Sequence, residues 1–383
     1  MEGIGQKDCK VPNQKCVSSP YYDHSSSVTV DSGQIASFDD FLRPVNGIQN
    51  SGPWYFEFAV QNNFFLQMQQ LELEIKFRVY KGEKQKLDAT DSVALINNFG
   101  NSMFKQVECK LNSQDFHGNT AANSGYKAYI ENVLSYEKCA LETHAIVQGF
   151  HLDSPAKMDS CDDTNAGFTK RKEMIALSRV CDIYTTICSD FLRSSNFLVA
   201  GNMLSIRLTK HSDSFLLMTS AQNPTYYIHI EDMKLYYRRS QLVPAQANQI
   251  IGKDERYISK KTELMTFPLG DGLQTKSINL VTGNVLPKSV VVGMVLTEAC
   301  EGKYSLNPWN FQAFDLNEIY LKSNGKSYPA NPLKPDFKNK NYAREFAWLY
   351  GEVGCFTPDR GLCITPDMFN DGGGFTLFPF DLR

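Results

Sequence analysis

The residues with the greatest capacity for chemistry form fragments of known sites. Asp162-Asp163 is an adjacent acidic pair, but the alternating acids of an EF-hand calcium loop are absent. A solvated loop is therefore favoured there over a calcium site. Gly372-Gly373-Gly374 lacks the Lys-Ser/Thr of a phosphate loop and precedes an apolar strand pattern, which predicts a flexible hinge.

The histidines and nucleophiles also lack catalytic spacing. His144 and His151 are seven residues apart, and His229 alternates with Tyr227 within a predicted strand. The other histidines are His24, His117 and His211. Structural histidines are favoured over metal ligands, and no Ser or Cys has the surroundings of an activated nucleophile. We expect no catalytic, cofactor-binding or metal-binding residue and no enzyme activity, although carboxylate pairs distant in sequence are left open.

Two short basic runs, Lys170-Arg-Lys172 and Arg238-Arg239, are the candidates for contact with nucleic acid. The formal net charge of −3 does not support a strong electrostatic grip on a nucleic acid. Solvated loop ends are the favoured interpretation of both runs. The alternative is that the runs face an enclosed genome.

The bulk composition is that of a soluble globular protein with a large core. The chain has 383 residues, of which 42% are hydrophobic and 21% charged, so two or three domains are expected. The 25 Phe and 18 Tyr suit the packing of rings on β-sheets. No apolar run approaches the roughly 20 residues of a membrane span, and the first residues lack the apolar core of a signal peptide.

We therefore expect a reducing compartment, in which ten cysteines act mainly as small buried hydrophobes. The absence of any Cys-x-x-Cys pair argues against a structural zinc site.

Strand patterns dominate the chain. In Leu71–Tyr80, Leu, Ile, Phe and Val alternate with charged residues, which predicts a strand with one buried face. Further strands are predicted at 54–60, 92–96, 180–191, 203–208, 225–237, 262–269, 277–280 and 289–296, the last of them buried, and at the apolar C-terminal run 374–383. Helices are predicted near 124–136, 245–251 and 342–350 and from Thr365-Pro366. Many short strands with few helices indicate antiparallel sandwiches, and eight-stranded jelly rolls fit the length of each half.

The chain divides at a polar stretch without strong strand signals. Residues 1–50 predict a flexible N-terminal arm, 51–243 a first jelly roll, and 244–383 a linker with a second jelly roll. The arm either has no structure in isolation or orders against a neighbouring subunit.

Asn97–Ser113 and Asn307–Ser323 share Asn, Phe, Glu, Leu and Ser at one offset, with an aromatic helix after each. This repeat predicts one β fold used twice, with two segments that superpose.

Several motifs of the C-terminal third are specific to one group of proteins. They are Val291-Val-Gly-Met-Val295, Asn307-Pro-Trp-Asn-Phe-Gln-Ala-Phe-Asp-Leu-Asn317, Asn331-Pro-Leu-Lys-Pro-Asp-Phe337 and Gly374-Phe-Thr-Leu-Phe-Pro-Phe-Asp-Leu382. Looser matches follow in the first half at Phe104–Asn112, Tyr126–Glu131 and Asp213–Phe215. Over residues 50–383 the chain resembles the major capsid proteins of Polinton (Maverick) elements and adintoviruses.

The resemblance implies an all-β double jelly-roll coat protein with short inserted helices. Three such chains form a homotrimer with a pseudo-hexameric outline that tiles an icosahedral shell, and single-jelly-roll penton proteins fill the vertices. Expected partners are thus other copies of the chain, penton and minor capsid proteins and, non-specifically, packaged DNA, and the expected location is the virion. The chain is short for this family, so its outer loops are expected to be reduced.

Two other functions are weighed against the capsid interpretation. A carbohydrate-binding or glycan-active β-sandwich is also rich in aromatic residues, but this chain has three Trp. Trp309 and Trp348 lie on the repeat and its helix, where core packing is the better explanation. A host-domesticated binding protein derived from a coat protein cannot be separated from the capsid interpretation by sequence.

Overall fold

The computed structural model describes residues 34–61, 64–115, 123–194, 196–251, 257, 259–280, 286–323, 325–357 and 360–382. Most of the predicted arm, residues 1–33, lies outside the described residues, as do Cys9, Cys16, His24 and His117.

Strands provide most of the regular structure. They are β1 (Gln34–Leu42), β2 (Trp54–Ala59), β3 (Phe64–Lys81), β4 (Gln85–Lys86), β5 (Val93–Leu95), β6 (Phe104–Leu111), β7 (Gln114–Asp115), β8 (Cys181–Thr186), β9 (Phe197–Leu198), β10 (Met203–Lys210), β11 (Leu217–Thr219), β12 (Tyr226–Leu242), β13 (Ser289–Gly293), β14 (Ile319–Ser323), β15 (Lys326–Leu333) and β16 (Leu377–Asp381).

The helices are short and lie between the strands. They are α1 (Phe99–Ser102), α2 (Ser124–Ser135), α3 (Lys138–Glu142), α4 (Ala166–Ile175), α5 (Asp213–Leu216), α6 (Pro244–Ile250), α7 (Thr297–Glu301), α8 (Ala343–Glu352) and α9 (Pro366–Phe369), with 3₁₀ turns at His144–Gln148 and Ala176–Ser178. No helix of the described residues is long and apolar enough to span a membrane. The predicted all-β fold class with short helices is confirmed.

The first half has the strand order of a jelly roll. In one sheet, β1 pairs with β12, β12 with β3, and β3 with β8. The short strands β4 and β9 also pair with β3. The other sheet has the order β2-β10-β6-β7. All these pairs are antiparallel. If its eight principal strands are numbered in chain order, one sheet is 1-8-3-6 and the other 2-7-4-5. This order defines two interlocked Greek keys, the jelly-roll arrangement.

Alternation of apolar and charged residues places the core between the two sheets. Along β3 and β12 the buried residues, among them Leu73, Ile75 and Leu235, alternate with more exposed ones. On the facing sheet Trp54 and Phe56 are fully buried. The rings of Phe58 and Tyr237 join the two sheets at 5.2 Å between centroids. Burial of such rings is the main stabilising contribution of the sandwich.

The predicted arm contains a strand. Residues 34–42 form β1, which pairs with β12 in register from Ala36–Gln241 to Leu42–Leu235, so the arm does not extend over these residues. The polar sequence of β1 does not predict a strand, because the strand lies at a largely exposed sheet edge. There Asp39 and Asp40 lie opposite Arg238 and Tyr237. Cross-strand charge pairs stabilise such an edge without apolar alternation.

The described part of the second half reproduces part of the same pattern. β13 pairs with β16 and β14 pairs with β15, both antiparallel. If β13, β14, β15 and β16 are assigned as strands 3, 4, 5 and 8 of a second jelly roll, these are its 3–8 and 4–5 pairs. The runs 262–269 and 277–280, predicted as strands, are extended backbone without a ladder. The predicted buried strand at 289–296 is the shorter β13, whose residues are exposed or half-buried.

The two copies of the repeat take comparable but unequal positions. Asn97 and Asn307 are both fully buried, and each precedes a strand, β6 or β14. Phe104 is buried in β6, whereas its counterpart Phe314 is 44% exposed in a turn. Superposition of the two segments stays a prediction, as does the division of the chain at residue 243.

Candidate assembly surface

The residues singled out for chemistry do not converge on a catalytic or metal site. Among the described residues, no group of three His, Cys, Asp or Glu side chains has the arrangement to hold a metal ion. Asp162 accepts hydrogen bonds from the backbone and hydroxyl of Thr164, which marks a local turn. His229 contacts Asn50 through Nδ1 at 2.9 Å. The carboxamide of Asn50 also accepts the Ile230 N–H, so His229 and its neighbour hold a loop against β12.

The polar loop around Asp159 joins the two halves. The Asp159 carboxylate accepts hydrogen bonds from the Asn307 N–H at 2.6 Å and from the Asn310 side chain at 2.6 Å. Burial raises the pKa of Asp159, and these two donors oppose that shift. The side chain of Asn307 donates to Asp153 at 3.2 Å. The acidic loop thus holds the second repeat copy in place through these hydrogen bonds.

The first basic run is used inside the protein. Arg171 is fully buried, and its guanidinium donates to Asp153 at 2.6 Å and to the carbonyls of Leu95 and His151 at 2.8 and 2.7 Å. Gly167 is required beside this pair, because a Cβ there would lie 2.6 Å from an Asp153 oxygen. Arg171 therefore cannot face a nucleic acid, and that alternative fails for the centre of the run.

The second basic run is paired with β1. Arg238 donates to Asp39 at 2.5 and 3.0 Å, and Arg239 lies 3.7 Å from Asp40. The Arg238 guanidinium lowers the pKa of Asp39. Arg239 also lies over the ring of Phe64, 4.9 Å from its centroid. These contacts attach the edge strand to β12, and both arginines form ion pairs with acidic residues of their own chain.

The three glycines form a turn in which Gly373 and Gly374 are closely packed, and the flexible hinge stays a prediction. Gly372 and Gly374 adopt φ of +76° and +91°. A Cβ on Gly374 would lie 2.3 Å from Met158 Cγ, and one on Gly373 would lie 2.3 Å from the Asp367 carbonyl oxygen. The turn brings β16 against the loop that holds Asp159.

Four buried thiols are not suited to nucleophilic roles. Burial raises the pKa of Cys109, Cys181, Cys188 and Cys363 to about 12. Thiolate is the reactive form, so these side chains act as small apolar groups at neutral pH. The expectation of mainly buried cysteines is confirmed for these positions, while Cys139 is exposed.

The tryptophans do not form a carbohydrate platform. Trp54 and Trp309 are fully buried, and half-buried Trp348 donates its indole N–H to the Pro379 carbonyl at 2.9 Å. Trp309 stacks on Tyr129 with 4.7 Å between centroids and donates to the Asn97 carbonyl at 3.1 Å. The prediction that Trp309 and Trp348 serve packing is confirmed.

The outer face of the β1-β12-β3-β8 sheet is a surface rich in aromatic rings and charges. Glu74 lies within 3.0 Å of Lys76 and 3.2 Å of Lys234, and it accepts the Tyr236 hydroxyl at 2.9 Å. Tyr236 in turn contacts Tyr184 and Phe41 with centroids 5.9 and 5.8 Å apart. Tyr, Phe and Arg are enriched in protein interfaces. We call this surface the outer sheet face.

A second exposed feature is the extended run 262–280 in the second half. Nearly all of its residues are exposed. Its most exposed large apolar side chains are Phe267, Leu269, Leu273 and Ile278, each 40% or more exposed, whereas Leu264 packs against the core. The run begins at Thr262, whose N–H donates to Asp190 at 2.8 Å. We call it the exposed segment. The sequence predicts strands at 262–269 and 277–280, whereas neither run forms a ladder among the described residues.

Comparisons with known proteins give distant matches. No protein-family model matches the chain. An uncharacterized protein of Caenorhabditis elegans is 22% identical over 355 residues, which cover 88% of this chain and 81% of that protein.

Among solved structures, the mavirus major capsid protein has a TM-score of 0.35 at 9% identity, over 76% of this chain and 56% of that chain. The quasi-atomic model of the PBCV-1 virus capsid has a TM-score of 0.47 at 8% identity, over 93% of this chain and 80% of that chain. The chain thus matches little more than half the length of the mavirus protein.

Proposed function

We propose that the chain is a structural coat protein, the major subunit of an icosahedral virus shell. The observation that carries the proposal is the repeated strand pairing in one chain. The first half holds the full jelly-roll order, and the second half holds two antiparallel pairs, β13-β16 and β14-β15, which we assign to its 3–8 and 4–5 pairs. Two similar β domains in one chain let three chains fill a sixfold position, which is the outline of a pseudo-hexameric capsomer.

The surfaces support a protein that assembles with copies of itself. The outer sheet face supplies aromatic and charged side chains, and the exposed segment supplies apolar ones. A specific, stable interface buries upwards of roughly 1,000 Å², and contiguous exposed apolar groups mark such contacts. Its partners in this proposal are lattice neighbours of the same chain, penton and minor capsid proteins and, non-specifically, the packaged DNA, in the virion.

Electron microscopy of the purified protein tests the proposal. We expect trimers with a hexagonal outline, or closed shells, as the protein concentration rises. Sedimentation at the same concentrations gives the mass of the smallest assembly, for which three chains are expected. A strict monomer at high concentration that binds glycans would contradict the coat function and favour the β-sandwich alternative.

A further inference from the structure

A largely buried lysine of α2 lies against an aspartate in the turn that follows β8. Lys127 Nζ is 2.5 Å from Asp190 Oδ1, and the two side chains are 11% and 14% exposed. The other carboxylate oxygen of Asp190 accepts the Thr262 N–H at 2.8 Å. Three segments that are distant in the chain thus hold one amine against one carboxyl group.

A second carboxylate faces the same amine. Glu131 lies one helical turn after Lys127 on α2, with its Oε1 atom 3.8 Å from the lysine Nζ. Its Oε2 atom accepts the Arg193 guanidinium at 2.5 Å and the buried Cys188 thiol at 3.4 Å. Glu131 is therefore positioned to accept a proton from the amine while Asp190 stays in contact with it.

The surroundings favour the loss of both charges from the Lys127–Asp190 pair. Taking two charges out of water costs free energy that their attraction repays only in part. Condensation of an amine with a carboxyl group gives a neutral amide and removes this cost. Lys81 also contacts two carboxylates, Asp91 at 2.8 Å and Asp88 at 2.6 Å, but Asp88 is 65% exposed, so water already solvates that pair.

We propose that Lys127 and Asp190 are a modification site, at which the chain forms an isopeptide bond between its own two side chains. Glu131 relays one proton from Nζ to Asp190 Oδ1, which gives a neutral amine beside a neutral carboxylic acid. The amine then attacks Cγ of Asp190, and the N–C bond forms. The negative charge that develops on Oδ2 is stabilised by the Thr262 N–H.

The reaction is complete when the bond between Cγ and Oδ1 breaks. Oδ1 leaves as water with the relayed proton and a second proton from Nζ. The ion pair has three hydrogens on nitrogen and two carboxylate oxygens, and the products are an amide N–H, a carbonyl oxygen and one water. Atoms and charge therefore balance without an oxidant or any other reactant.

The fixed contact compensates for the charged resting state of the pair. Burial raises the pKa of Asp190, but the hydrogen bond and charge of Lys127 and the Thr262 N–H lower it by more, so Asp190 is ionised at rest. The neutral pair is thus a minor form. Groups held in contact react as if they were at very high concentration, so this minor form is sufficient for a single irreversible event.

Mass spectrometry of the purified full-length protein tests the bond. We expect an intact mass lower than that of the unlinked chain by one water molecule. Trypsin does not cleave after an acylated lysine, so digestion should release residues 111–138 as one peptide branched onto residues 180–193. Recovery of 111–127, 128–138 and 180–193 only as separate, unmodified peptides would overturn the proposal. Lys81 is the internal control, and its linkage to Asp91 would contradict the part assigned to burial.

Two substitutions test the roles within the site. Lys127→Arg keeps the positive charge but should give no branched peptide. Glu131→Gln keeps the shape of the side chain and should slow linkage at least about ten-fold, followed after a pulse of cell-free synthesis. Lys81→Arg is the matched control and should leave the rate unchanged, and thermal unfolding verifies that each variant folds. Linkage of a folded Glu131→Gln variant at the parent rate would overturn the proton relay.

The inference is independent of the proposed coat function. Its readout is the covalent mass of one subunit, which does not depend on whether copies assemble. An unlinked subunit that forms shells would overturn the isopeptide bond alone, and a linked subunit that stays a monomer would overturn the coat function alone.

Discussion

His211 follows β10 directly, with its ring stacked on Phe215 at 3.8 Å between centroids. It is buried, and its Nε2 atom has no hydrogen-bond partner among the described residues. Burial lowers the pKa of His211 to about 3, with a smaller contribution from Lys105. At the scale of single residues, packing therefore sets the titration of His211, and that titration affects the stability of the fold.

This burial predicts a dependence of stability on acid. In the unfolded chain the pKa of histidine is about 6.5. Below that pH the unfolded state binds a proton at His211, whereas the folded state leaves this side chain neutral. The contribution of neutral His211 to the free energy of unfolding is thus fully present above pH 6.5. It falls as the pH decreases towards 3. His211→Phe keeps the ring and removes the titration. We expect its midpoint of urea unfolding to fall less between pH 7 and pH 4.5 than that of the parent.

The matched control is His144→Phe, which replaces an exposed histidine and leaves the chain with the same number of histidines as His211→Phe. An equal acid sensitivity of the His211→Phe variant and the parent would contradict the assignment of this loss to His211.

At the scale of elements, close backbone packing decides how the C-terminal strand is seated. The turn before β16 brings Gly374 against Met158, and the Phe375 N–H donates to the Met368 carbonyl of α9, 3.1 Å away. Gly372, two residues earlier in the same turn, has no atom within 4 Å of the position that a Cβ would occupy. Both residues have positive φ, so they differ in contact and not in backbone strain.

This difference predicts unequal effects of the same substitution. Gly372→Ala should cost about 1 kcal/mol of unfolding free energy, through left-handed strain alone. Gly374→Ala should cost about 1–3 kcal/mol more, because the added methyl group overlaps Met158. Urea unfolding measures both values. Adding Met158→Ala to Gly374→Ala should restore part of the loss, and equal losses for the two glycines would refute the contact.

The sequence predicted elements well where a period or a cap defines them. The alternation in Leu71–Tyr80 gave β3, and Thr365-Pro366 gave α9, in which Thr365 accepts the Met368 N–H. It failed at β1, because an edge strand with paired charges has no apolar alternation. It also failed at residues 262–269 and 277–280, where strands were predicted and no ladder is present among the described residues, because strand pairing depends on residues distant in sequence that no local pattern reveals. The network of Arg171 and Asp153 was missed for the same reason.

At the scale of the whole molecule, the second repeat copy is joined to the first. Trp309 lies against Tyr129 of α2 and donates to the Asn97 carbonyl, so each copy contributes one partner to a single contact. Phe215 and Tyr126 complete the aromatic cluster, with centroids 5.9 and 4.7 Å from that of Trp309. The two halves are thus joined through a buried aromatic centre with a polar border formed by Asp153 and Asp159.

Removing the indole should uncouple the halves. We expect Trp309→Ala to cost about 3–5 kcal/mol, the usual range for a buried aromatic side chain. In hydrogen exchange, the peptides of β13 and β16 should then exchange earlier than those of β3 and β12. Trp309→Phe keeps a ring on Tyr129 and should cost less. Uniform exchange across both halves of the alanine variant would contradict the coupling.

The seating of the loop between Asp153 and Asn165 also has a mechanical consequence. Its ends contact the first half, its middle contacts Asn307 and Asn310, and Met158 is fixed beneath the glycine turn. Relative rotation of the halves would have to break the buried charge network and the aromatic stack together. In a shell built from this chain, elastic deformation would therefore concentrate at the interfaces between subunits, and each subunit would move as a rigid body.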